Sequence, residues 1–175
     1  MTKRIAFILL IFNLLATNIC LSQNQNFHSD SIRAIELNRK GNDYGRQGFF
    51  SQSLKLHLEN LSLRTKLYGI DSEKLGPALM GIGNAYKNLG QTDFALKYYK
   101  LAETNYGEKI TRSLLVNIGG LYRNKLDFKS ALNYYNQAVE IVKYDKSSTI
   151  QNIAGINYNI AEIHYQMKND NDALI

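Results

Sequence analysis

The residues of this chain whose types could do chemistry are three histidines, one cysteine, a Gly81-Ile82-Gly83 run and scattered serines. Metal binding by imidazole needs ligands spaced to converge on one ion, and no pair among His28, His57 and His164 has that spacing. Packed or capped histidines are the expectation. Gly81-Ile82-Gly83 opens like a dinucleotide-binding fingerprint, but Tyr86 stands where the third glycine belongs and no strand precedes it. No serine falls in a sharp turn with a base and an acid at hand. Asn60-Leu61-Ser62 is formally a glycosylation sequon, but it falls within a helical stretch. The sequence therefore reads as a non-enzyme, with no catalytic residue, no metal, no cofactor and no small-molecule substrate.

What remains is polar and cationic side chains, and their use depends on the elements that carry them. Those elements repeat. Leu79, Ile82, Gly83, Tyr86, Ala95, Tyr99 and Ala102 return at identical spacing as Leu115, Ile118, Gly119, Tyr122, Ala131, Tyr135 and Ala138, 36 residues later. Two weaker copies lie 42 residues to either side. Leu37, Gly41, Tyr44, Gly48, Phe50 and Ser53 form the first, with His57 at the aromatic position. Ile160, Ala161, His164 and Ala173 form the last.

This pattern resembles the tetratricopeptide repeat (TPR), a helix–turn–helix unit of about 34 residues. The two longer separations resemble those of kinesin light chains and of bacterial signalling TPR proteins. The resemblance implies an all-α, right-handed superhelix of antiparallel helix pairs, A and B, with about four repeats and the last incomplete. The repeats are expected near 34–70, 76–107, 112–146 and 154–175 of a solenoid domain spanning 31–175. The small eighth template position (Gly41, Gly83, Gly119, Ala161) lets helix A approach helix B. The small twentieth position (Ser53, Ala95, Ala131, Ala173) answers it. Tyr86 with Tyr99, and Tyr122 with Tyr135, are expected to fill the space beside that contact. Gly48 and Gly90 suit the A–B turn, whereas Leu126 in the third repeat requires another closure. Asp71 and Ser72 are candidate N-caps for the next helix, with Pro77 near its start. Phe94, Leu96, Tyr98, Tyr99, Leu101 and Ala102 give a broad apolar face that only stacking neighbours bury.

In TPR proteins the partner lies along the A helices, and the resemblance maps that groove onto this chain. The candidate binding residues are Asn38, Asn42, Asn84, Lys87, Asn88, Arg123, Asn124, Tyr158 and Glu162. Asparagine amides both donate to and accept from a peptide backbone, and Lys87 and Arg123 add positive charge for an anionic partner. Carboxylate-clamp TPR domains carry two asparagines, matched here by Asn42 and Asn84. Their cations would fall at Asn38, Ser113 and Asn117, so that charge is missing.

The first 22 residues read as a secretory signal peptide. Lys3 and Arg4 precede an apolar core from Ile5 to Ala16, shorter than the about 20 residues that span a bilayer. Cleavage after Ser22 would leave residues 23–30 as a loose polar leader. Ile19 before Cys20 departs from the small residue that lipoprotein processing needs, and processing would remove this lone cysteine. Without Lys3 and Arg4 the net charge falls from +6 to +4, and no basic cluster marks a nucleic-acid interface. The expected function is a secreted or periplasmic scaffold gripping a protein or peptide, touching the membrane only through the signal peptide or a missing C-terminal region. The alternative is the N-terminal sensory or adaptor region of a larger bacterial signalling protein (a histidine kinase or a DNA-binding output) or of a CHAT-type protease. The sequence halts as helix B of the fourth repeat begins, so the chain is expected to be a fragment. Ile160, Ile163 and Tyr165 are then expected to lie uncovered.

Overall fold

A computed structural model describes the backbone of residues 2–144 and 150–172, with side chains within 24–143 and 153–168. The described residues contain seven α-helices: α1 (Thr2–Arg46), α2 (Phe50–Tyr68), α3 (Gly76–Asn88), α4 (Thr92–Tyr106), α5 (Arg112–Asn124), α6 (Phe128–Tyr144) and α7 (Ile150–Asp172). Helices α1 and α2, α3 and α4, and α5 and α6 form successive antiparallel A–B pairs, and α7 packs against α6 as the A helix of a fourth repeat. Among the described residues no helix is long and apolar enough to cross a membrane.

Stacking buries what the apolar periodicity offers. Leu79, Ile82, Leu115 and Ile118 from the A helices are 0–3% exposed, as are Ala95, Tyr99, Ala131 and Tyr135 from the B helices. Each fully buried aliphatic side chain contributes about 1.5–3 kcal/mol relative to exposure. The helix contact centres on ring against glycine: a Cβ added to Gly119 would lie 2.9 Å from Tyr135, and one on Gly83 would run into Tyr99. Buried Tyr99 and Tyr135 are thus committed to the glycines. Tyr86 stacks instead on Phe94 and Tyr98, and Tyr122 on Tyr134, a correction to the pairing expected from sequence. Phe94 and Leu101 stay about half exposed, so the apolar face of α4 is narrower than the sequence suggested.

All three A–B turns close in one way. Gly90 has φ +74° and donates to Lys87, while Gln91 donates to Tyr86 at 2.9 Å, the paired hydrogen bonds of a Schellman motif. Gly48 and Phe49 repeat the arrangement. Leu126 does too, with φ +61° and the same two hydrogen bonds, from Leu126 to Arg123 and from Asp127 to Tyr122. The third turn therefore keeps the left-handed closure and places leucine in it, against the expectation of a different turn.

Three further expectations change. Residues 24–30 are not a loose leader but a continuation of α1. The 19-residue α2, about 28 Å long at 1.5 Å per residue, reaches back beside them. Phe27 meets the Tyr68 ring edge-on, Ser31 bonds the Tyr68 hydroxyl at 3.0 Å, and Asp30 pairs with Lys66 at 3.3 Å. Ser72 caps a short 3-10 turn (Glu73–Leu75) rather than the helix itself, and α3 follows with Pro77 in its first turn. Helix α7 runs unbroken to Asp172. Ile163 is fully buried, Ile160 packs on the core, and Tyr158 and Tyr165 stay exposed, so the uncovered strip is smaller than expected. Ala173, the expected start of a fourth B helix, lies outside the described residues.

Candidate functional site

The A helices lie side by side, and between them run openings lined by polar side chains. One, of about 360 Å³, lies between the first and second repeats and is bordered by Asn42, Arg46, Asn84, Lys87 and Asn88, with Ser53 and His57 of α2 beneath. Another, of about 460 Å³, lies between α5 and α7 and is bordered by Arg123, Asn124, Tyr158, Asn159, Glu162 and Gln166. Eight of the nine residues singled out from the sequence therefore gather in two sets of four. Asn38 is apart: its Oδ1 accepts from Asn60 Nδ2 at 3.3 Å, which turns it toward α2 and away from both openings.

The groove cations are not loose. Lys87 Nζ donates to Asn117 Oδ1 at 3.0 Å, and one repeat later Arg123 donates to Asn159 Oδ1 at 3.2 Å. Each pair joins the same two template positions of neighbouring repeats. Partial burial lowers the Lys87 pKa from its ordinary value. Asn84 Oδ1 accepts from Tyr99 at 2.6 Å and from Asn117 at 3.4 Å. The Asn84 oxygen is occupied, which leaves its amide N–H groups for the groove. Asn42, Asn88 and Asn124 are exposed, and Glu162 accepts from Gln166 at 3.0 Å. The surface is thus donor-rich in the first two repeats, and its one carboxylate among the candidates lies at the far end.

Sequence reasoning passed over Asn117 and Asn159 as partners of the cations. The clue was present, because both stand 30 or more residues after a basic residue in the same template register. The sequence pattern also gives no sign that Ser53, His57 and Asn60 are buried together. They are the buried polar side chains of the described core, all on α2, where the second repeat has Ala95, Tyr99 and Ala102. Burial closes Asn60 to glycosylation in the folded chain. His57 is packed as expected, whereas His28 and His164 are exposed, a correction to the expectation of packed or capped histidines. Among the described residues no group of three His, Cys, Asp or Glu side chains converges as metal ligands do.

Family models of the tetratricopeptide repeat match residues 32–108 and 113–141, together more than half of the chain. No curated protein matches the sequence. Among solved structures, the TPR domain of Arabidopsis FLU is similar at TM-score 0.61 and 15% identity, over 66% of this chain and 99% of that one. The nearly identical TPR-like repeats of a Podosopora anserina chain named for kinesin light chain are similar at TM-score 0.64 and 12% identity, over 75% of this chain and 65% of theirs. The Sgt2 TPR domain of Aspergillus fumigatus follows at TM-score 0.56 and 18% identity, over 75% of this chain and 82% of its own. At these identities the likeness carries the fold alone. With its glycine-against-ring helix pairs and its repeat matches along the sequence, this chain belongs to the tetratricopeptide-repeat family.

Proposed function

We propose that this chain is a protein-binding scaffold that works outside the cytoplasm and holds an extended peptide segment of its partner along the A helices. The observation that carries this reading is the gathering of eight candidate side chains around two polar openings on that one face. TPR domains are in general interaction scaffolds. Asparagine amides and partly desolvated cations suit a peptide backbone and its anionic groups. The location rests on the basic, apolar and polar order of residues 3–22, which fits removal of a leader after Ser22.

Two measurements test the reading. The first is the intact mass of the protein taken from the cell envelope, which should correspond to a chain beginning at Gln23; a full-length mass or a cytoplasmic location would defeat the export claim. The second is partner recovery from an envelope extract with the chain and with the triple variant Asn84→Ala, Lys87→Ala, Arg123→Ala. Recovery should collapse for the variant while its helicity, read by circular dichroism, is retained.

A further inference from the structure

Arg64 departs from its own repeat pattern. The same template position carries Tyr106 in the second repeat and Val142 in the third, both packed on the core. Four residues earlier, where those repeats bury Ala102 and Ala138, the first repeat buries Asn60. The two departures act together. Asn60 Oδ1 accepts from Arg64 Nε at 2.9 Å while its Nδ2 donates to Asn38, so a fully buried amide anchors the guanidinium from behind. Arg64 also reaches the segment that leads into the second repeat, where Nη1 donates to the Lys74 carbonyl at 2.6 Å. Both acceptors are neutral, and among the described residues no carboxylate pairs with Arg64. Burial disfavours its charge, and a partly desolvated cation is normally matched by an anion. A guanidinium has five N–H donors, and these two contacts leave the others unused.

The guanidinium lines an opening of about 340 Å³ on the edge of the solenoid where B helices end and the next A helices begin. Lys74 and Lys109 line it as well, and Pro77 and the Tyr106 ring give it an apolar side. The ring is held in place: its hydroxyl meets Met80 Sδ at 3.7 Å, and a Cβ on Gly76 would run into it. Lys74 Nζ is steadied 4.5 Å above the Tyr68 ring. Against these three cations stands one acid, Glu73, which pairs with Lys109 at 2.7 Å. The surplus is two positive charges. None of the lining residues belongs to the A-helix groove.

We infer that this opening is a separate binding site for a phosphate monoester, its dianionic head on Arg64 and Lys74 and its organic group against Tyr106 and Pro77. A phosphate monoester carries about −1.5 to −2 charge at neutral pH and three acceptor oxygens, which matches the surplus. A carboxylate or a sulfate ester would neutralise only half of it. The guanidinium fork suits two phosphate oxygens at once, and its anchorage on buried Asn60 orients it before the ligand arrives. The site does not depend on a partner being held along the A helices.

The test is an NMR titration of the 175-residue chain, followed at the Arg64 Nε–H and the Tyr106 ring. Phenyl phosphate, phenyl sulfate and inorganic phosphate are compared at constant ionic strength. Phenyl phosphate should give saturable shifts at both groups and bind at least fivefold more tightly than either of the others. Arg64→Gln should weaken it at least tenfold. Because Arg64 also holds the Lys74 carbonyl, exposed Lys74→Met is the second variant. It should weaken phenyl phosphate at least threefold while the resonances of the rest of the fold stay in place. Equal binding of phenyl sulfate or inorganic phosphate, no saturable shift at Arg64 and Tyr106, or an unchanged affinity in either variant would overturn the assignment.

Discussion

Lys87 Nζ lies 3.0 Å from Asn117 Oδ1, across the junction between the second and third repeats. The contact does two things at once. It ties adjacent A helices together on the face where a partner would lie, and it holds a partly desolvated cation in a fixed place. Arg123 and Asn159 do the same at the following junction. Rows of A helices are therefore linked by side chains on their exposed face as well as by the core behind them.

The two members of that tie are energetically coupled. Lys87→Met and Asn117→Ala should each lower stability by about 0.5–1.5 kcal/mol, and the double variant should cost less than the sum. Urea unfolding of the four proteins measures the coupling. Strict additivity would mean that the hydrogen bond contributes nothing.

Burial of His57 makes a prediction about acid. Desolvation lowers its pKa from 6.5 to about 4, so on acidification the unfolded chain takes up this proton before the folded chain does. Stability should fall as pH drops from about 6.5 to about 4 and this component should then level off, with a total of up to about 3 kcal/mol. His57→Gln removes the titration. The difference between the parent and this variant, measured by urea melts across that range, should shrink in favour of the variant as pH falls. A difference independent of pH would show that the ring is solvated.

Leu126 carries strain that glycine would not. A side chain in the left-handed region costs about 1–2 kcal/mol, part of which glycine gives back through its greater freedom when unfolded. Leu126 is 71% exposed, so little packing is lost with it. Leu126→Gly should raise stability by up to about 1 kcal/mol, and Gly90→Leu should lower it by about 1–2 kcal/mol. Thermal melts of both variants check the pair, and the opposite order of midpoints would contradict the shared turn geometry.

Much of this fold was legible in sequence because the repeat imposes strong local demands. Gly83 and Gly119 could be placed against a B helix from spacing alone, since only glycine leaves room for the ring that must pack there. The partner of each ring was not legible. Tyr99 and Tyr98 are adjacent, about 100° apart around α4, and which ring meets which partner depends on a rotation of the helix that no spacing rule states to within one residue. Leu126 misled because sequence propensity predicts the preferred residue of a turn, whereas three hydrogen-bonded turns with the same flanking helices impose their geometry on whatever residue is present. The groove was half legible. Lys87 and Arg123 lie on the A-helix face as read, but their asparagine partners lie in the next repeat, and long-range pairs leave no local pattern.

The account's central claim is that a partner is held along the A helices. Site-specific photo-crosslinking in cells that express the chain tests it most directly. A benzophenone amino acid is placed at Asn88 or Tyr158 on the A-helix face, and at exposed Lys55 or Lys97 on the B helices. Illumination should yield discrete higher-mass adducts from positions 88 and 158 and none from 55 or 97. Adducts from the B-helix positions alone would contradict the claim and place the partner on the opposite face.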